Sequence, residues 1–123
     1  MREARTQRLA HQLQQEIATI IHLELKDPRL GFVTITRVEL SKDLRHAKVL
    51  FSCLGEEAER RRSQEALDHS VRFVHGMLKK RLRLRIIPQL QFRYDESIAG
   101  ALELSRMLDQ LQSPPGTGSG ADD

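Results

Sequence analysis

Apolar residues fall into stretches of two different periods along the chain. Leu9, Leu13, Ile17, Ile20, Ile21 and Leu25 recur three and four residues apart, which lays one apolar stripe along a helix. Arg5, Arg8, Gln12, Gln15, Glu16 and Glu24 fall mostly off that stripe. Asp27-Pro28 supplies the stop, because the residue before a proline is pushed out of the helical region. The period then shortens. Residues 32–40, FVTITRVEL, are rich in β-branched types, with Val33 and Ile35 on one parity and Val38 and Leu40 on the other. A bulge, or a strand buried on both faces, produces such a phase change. Residues 46–54 alternate more cleanly, with Ala47, Val49, Phe51 and Cys53 pointing one way and His46, Lys48 and Ser52 the other. The short polar link at 41–45 predicts an antiparallel hairpin.

Gly55 ends the second strand, and Glu56, Glu57 and Glu59 stand where a helix begins, the end that favours acidic groups. Ala66, Leu67, Val71, Val74, Leu78 and Leu82 extend a helical spacing to about residue 84. That exceeds a usual globular helix, so two helices or one kinked helix are expected. Pro88 blocks continuation, and Leu90, Phe92 and Tyr94 alternate with Gln89, Gln91 and Arg93 as a third strand. Residues 97–111 read as a last helix with Ile98, Ala101, Leu102, Ser105, Leu108 and Leu111 on one side, and Asp95 or Ser97 is its expected cap. The tail SPPGTGSGADD has too little apolar material to fold. One domain over residues 1–112 and a disordered tail over 113–123 follow. The order helix, strand, strand, broken helix, strand, helix makes an α+β domain: a three-stranded sheet with helices packed on one face. The sheet is not all parallel, because the first connection is too short for a crossover.

Composition narrows the chemistry. The single cysteine, Cys53, excludes an internal disulfide and a thiolate metal cluster, and points to a reducing cytoplasm. The first residues show no signal-peptide run, and no stretch approaches the length of a membrane span. No glycine-rich phosphate loop or nucleophile elbow is present. His11, His22, His46, His69 and His75 form no pair at metal-binding helical spacing. No catalytic residue, metal or cofactor is therefore expected.

Charge carries more. The net charge of +3 is modest, so its distribution decides. In MLKKRLRLR, residues 77–85, the cations Lys79, Lys80, Arg81, Arg83 and Arg85 stand without an acid among them, while Leu78, Leu82 and Leu84 anchor the segment. A helix C-terminus accounts for two or three cations through its dipole, but not for five. A bound polyanion relieves the repulsion of the rest. Arg2, Arg5 and Arg8 near the start, and Lys42, Arg45 and Lys48 around the hairpin turn, add positive charge. Aromatic residues make up only 4% and tryptophan is absent, which argues against a base-stacking platform of the RRM kind and for recognition of the backbone and shape of folded RNA.

Three blocks, RTQRLAHQLQQEIATII, KDPRLGFVTITRVELSKDLRHAKVLFS and LKKRLRLRIIPQLQFRYDESI, resemble the ribosome-binding factor A family in residues and in spacing, over roughly residues 2–108. The resemblance implies a type II KH-like fold. It also implies a monomeric, non-catalytic factor that binds the free small ribosomal subunit and its rRNA during late maturation, with a role at low temperature. The family usually carries Ala-x-Gly at a helix break, where this chain has Ser70-Val71-Arg72. A kink there then needs a π or 3₁₀ turn. The expected RNA-binding set is Lys79, Lys80, Arg81, Arg83 and Arg85, with Arg72, His75, Lys42, Arg45, Arg5 and Arg8. Two other classes fit the charge: a protein-interaction module and a DNA-binding regulator, each with incidental RNA affinity.

Overall fold

The structure is a computed structural model in which residues 2–112 are described; the tail expected to be disordered lies outside them. The elements are α1 (Arg2–Leu23), β1 (Val33–Leu40), β2 (His46–Cys53), α2 (Glu57–Arg81), β3 (Gln89–Tyr94) and α3 (Ile98–Gln112). The sheet order is β1-β2-β3, with β1 and β2 antiparallel and β2 and β3 parallel. The mixed α+β architecture is the one the periodicity predicts. The phase change in β1 is a bulge: the register slips between Ile35 and Arg37, so that Ile35 faces Phe51 and Val38 faces Val49. The slip returns Val38 and Leu40 to the side of the sheet held by Val33 and Ile35.

That side carries the core. Leu13, Ile17, Ile20 and Ile21 of α1 and Leu67, Val74 and Leu78 of α2 bury against Val49, Phe51 and Phe92. The other side is not bare. The Ser52 hydroxyl donates to the Gly100 carbonyl at 3.1 Å, and Leu50, Ser52 and Thr34 are buried on the side away from Phe51. Helices α1 and α2 therefore cover one face, as expected, and α3 closes one end of the second. α3 meets the sheet through Gly100, with Leu104 and Leu108 half-buried, while Leu102 is 65% exposed. The apolar side expected for α3 is thus rotated. The reason is Gly100: a Cβ there would lie 2.7 Å from the Asp95 carboxyl carbon, so the helix approaches by its glycine and turns Leu102 outward.

The expected break in α2 is absent. The α-helix runs without interruption over Glu57–Arg81, through Ser70-Val71-Arg72. Ser63, Ala66, Leu67, Ser70, Val74 and Leu78 are buried along it, and the Ser70 hydroxyl donates to the Leu67 carbonyl within the same helix at 2.8 Å. Leaving the helix at Ser70 would unpair buried backbone groups, and no glycine is there to accept the change. The helix starts where the acidic residues predict: the Glu59 carboxylate accepts the Glu56 N–H at 2.9 Å, which also holds its pKa below the ordinary value.

Candidate nucleic-acid interface

The topology collects one end of the sheet. β2 and β3 start side by side, with His46 opposite Gln89 and the Gln89 N–H donating to the Arg45 carbonyl at 2.8 Å. α2 returns to this same end, so its exit at 82–88 lies beside the hairpin turn. α1 points its N-terminal half the same way. The Gln14 amide donates to the Ile35 and Thr36 carbonyls at 3.1 and 3.0 Å, while His22 Nε2 donates to the Val33 carbonyl at 2.8 Å. Helix α1 therefore runs antiparallel to β1.

The basic run straddles the end of α2. Lys79, Lys80 and Arg81 close the helix, and Leu82 leaves it in an extended conformation, donating its N–H to the Leu78 carbonyl at 2.8 Å. Leu78 and Leu82 are buried and Leu84 is half-buried, so these leucines pin the segment while Lys79, Lys80, Arg81, Arg83 and Arg85 are exposed. Three cations on the last helical turn offset its negative dipole end; Arg83 and Arg85 stand beyond it.

Arg81 differs from the others. Its Nε donates to Glu16 Oε1 of α1 at 2.7 Å, with the two side chains 35% and 30% exposed. None of the ion pairs among the described residues involves Lys79, Lys80, Arg83 or Arg85. His75 is also committed: its Nε2 lies 3.2 Å from the Ile87 carbonyl. A carbonyl only accepts, so Nε2 carries the proton, and the ring ties α2 to the chain after it. Arg72 is exposed on α2, nine residues before Arg81 and so roughly 14 Å up the helix.

The hairpin turn is built to hold its cations outward. The Ser41 hydroxyl donates to Asp43 Oδ1 at 2.7 Å, Asp43 Oδ1 accepts the Arg45 N–H at 3.1 Å, and the Ser41 hydroxyl oxygen accepts the His46 N–H at 3.0 Å. The Ser41 hydroxyl, then the Arg45 N–H, holds the Asp43 pKa below the ordinary carboxylate range. Leu44 takes a left-handed conformation at φ 61 to close the turn, a strained choice for a branched side chain. Lys42 and Arg45 are exposed, as are Arg5 and Arg8 on the first turns of α1. The structure thus brings the run, the hairpin turn and the start of α1 to one end; Arg72 stands back from it.

Sequence reasoning missed two groups. Glu16 is one: it falls off the apolar stripe of its helix, but nothing in its spacing pairs it with residue 81. The other is the open part of the second sheet face, where Arg37 and Arg93 are exposed beside Lys48, which the sequence groups with the hairpin turn, and Glu39 reaches Arg37 at 3.4 Å and Lys48 at 4.0 Å. The alternation of polar residues in β3 was the available signal. Cys53 is buried, and that burial pushes its thiol up. Among the described residues no group of three or more His, Cys, Asp or Glu is placed to hold a metal ion, and no helix is long and apolar enough to cross a membrane.

The family model for ribosome-binding factor A matches residues 5–108. The ribosome-binding factor A of Nitrosospira multiformis is 46% identical over 107 residues, 87% of this chain and 85% of that protein. That of Thermomicrobium roseum is 47% identical over 108 residues, 88% and 84% of the two chains. The crystal structure of ribosome-binding factor A from Thermus thermophilus superimposes with a TM-score of 0.65 at 32% identity, covering 72% of this chain and 93% of that one. A homology model of the Thermus thermophilus factor, fitted into the cryo-EM map of a 30S complex with it, gives a TM-score of 0.60 at 33% identity, with 72% and 92% covered. The chain belongs to the ribosome-binding factor A family.

Proposed function

We propose that the protein is a non-catalytic assembly factor that binds the free small ribosomal subunit and its rRNA late in maturation. It acts as a monomer in the cytoplasm, with a role at low temperature. The observation that carries this reading is the gathering of exposed Lys79, Lys80, Arg83 and Arg85, which form no ion pair among the described residues, beside Lys42 and Arg45. They stand on a fold like that of the Thermus thermophilus factor fitted into a 30S complex. Phosphate is the ligand that such an arrangement suits. The leucines fix the backbone beneath the charges, so ordering each side chain on an anion costs less entropy. The displaced counterions give the binding its strength.

The test replaces Lys79, Lys80, Arg83 and Arg85 together by glutamine and follows co-sedimentation with free small subunits across a salt series. The expected result is a salt slope lower by about three units, with a melting temperature near that of the parent, since exposed charges contribute little to stability. Parental affinity and slope would overturn the assignment of this end and move it to the open sheet face at Arg37, Lys48 and Arg93.

A further inference from the structure

Helix α2 carries an aromatic ring where its core pattern does not call for one. Phe73 is 44% exposed, although Ala66, Ser70 and Val74 around it are buried. Three residues on, Gly76 is half-buried, and a Cβ built there would meet nothing within 4 Å. Seven residues on, Lys80 is exposed, and four residues back, so is His69. Residues at these spacings share one helix face, and because α2 runs unbroken to Arg81, that face is continuous. Side chains on a helix lean toward its N-terminus, so the ring tilts away from Gly76 and leaves bare backbone between itself and Lys80.

We propose that Phe73 is a stacking seat for one unpaired nucleobase of the bound RNA. The base lies on the phenyl face, its edge enters the open space at Gly76, and Lys80, flanked by Arg72 and Lys79, holds the adjoining phosphate. The inference rests on the RNA-binding reading above and adds to it a preference for unpaired over fully paired RNA. Charge decides the kind of occupant. Arg72, Lys79 and Lys80 around the ring form no ion pair among the described residues. The acids nearest along the helix, Glu65 and Asp68, stand on the turns before the ring, and Asp68 accepts a hydrogen bond from Gln64 at 3.0 Å. His69 Nδ1 lies 2.9 Å from Arg29, whose charge is taken up by Asp27 at 2.8 Å, so the cations that count are Arg72, Lys79 and Lys80. An apolar protein partner laid over Phe73 would strip water from these cations without replacing it. A nucleotide supplies a π-face and an anion together.

The probes are a hairpin RNA with one 2-aminopurine in its unpaired loop and a fully paired duplex of the same length. Parental protein is expected to quench the 2-aminopurine and to bind the hairpin more tightly than the duplex. Phe73→Leu should lower hairpin affinity roughly five- to tenfold, abolish the quench, and leave duplex affinity and melting temperature unchanged. Phe73→Tyr should restore both quench and affinity. Gly76→Val should weaken the hairpin alone, by closing the gap. Equal loss on hairpin and duplex, or failure of Phe73→Tyr to rescue, would overturn stacking. So would a Phe73→Leu variant that keeps its RNA binding but loses small subunits, which would make the ring a protein contact. Parental protein binding hairpin and duplex equally well also removes the stacking seat but leaves the phosphate reading intact. Parental protein binding neither RNA, nor small subunits, removes both.

Discussion

The two ends of the sheet use polar residues in opposite ways. At the end where β2 and β3 begin, cations face solvent, and only Arg81 of the basic run has an acid, Glu16, among the described residues. At the other end, Asp95 is 4% exposed and fully engaged. Its Oδ2 accepts the Thr36 hydroxyl at 2.5 Å, and its Oδ1 accepts the Ser97 hydroxyl at 2.5 Å and the Ser97 N–H at 2.9 Å. Ser97 in turn caps α3 by accepting the Gly100 N–H at 3.1 Å. This knot ties the β1 bulge, the end of β3 and the first turn of α3, and Gly100 fits against it because it has no Cβ. One end uses its charge to hold the fold; the other leaves Lys79, Lys80, Arg83 and Arg85 in solvent without an ion pair among the described residues. Substitutions at the two ends should therefore separate stability from binding.

The largest expected effect lies inside the basic end and tests whether its charges and its leucines can be told apart. Leu82 is 6% exposed, so Leu82→Ala removes core contacts and leaves a cavity, with an expected loss of about 2–5 kcal/mol. Denaturant unfolding of this variant beside the quadruple glutamine variant should show a fall in stability for the first and almost none for the second. Equal losses would show that the cations are part of the fold and would break the comparison.

Next is the knot. Burial pushes Asp95 up, but the hydrogen bonds from Ser97 and Thr36 outweigh it and hold its pKa below the ordinary 3.8. The sign follows from the lowered value. The stability it adds is fully present above pH 3.8, the unfolded value, and is lost as pH falls through the lower folded value. Asp95→Asn should cost about 1–3 kcal/mol at neutral pH, because an amide NH2 replaces the Oδ2 that accepts the Thr36 hydroxyl, and the charge that strengthens the Ser97 bonds is lost. The gap to the parent should shrink in acid, and RNA affinity should hold. A gap that stays constant from neutral pH into strong acid would show that packing, not the carboxylate, holds this end.

The element order, the hairpin, the bulge in β1 and the anchoring of Leu78 and Leu82 were all legible, because each writes a period or a phase change into its own few residues. The basic run was legible for the same reason. What local pattern hid depends on contacts far apart in sequence. The continuity of α2 is set by burial of Ser70, which a polar residue in a helical spacing does not announce. The outward turn of Leu102 depends on Gly100 meeting Asp95, and the two-sided burial of β2 depends on where α3 docks. Within the site, His75 reads as a member of the RNA-binding set beside the basic run, yet its ring is fixed on the Ile87 carbonyl.

The smallest expected effect concerns Glu16 and has opposite signs at the two levels. The pair with Arg81 is about a third exposed on each side. Solvent and salt screen it, so breaking it by Glu16→Gln should cost no more than about 0.5 kcal/mol of stability. The same substitution removes the one acid that touches the basic run among the described residues and frees Arg81 for phosphate. Binding to small subunits should therefore strengthen, and the salt slope should rise by up to about one unit, the share of one more neutralised phosphate. Arg81→Gln should cost similar stability and leave the slope unchanged, because the guanidinium it removes was already paired with Glu16. Co-sedimentation of the two variants with small subunits at several salt concentrations separates the cases. If Glu16→Gln weakens binding instead, Glu16 serves to aim Arg81 at the ligand, and the two ends of the sheet share one strategy: a carboxylate that holds its partner in place.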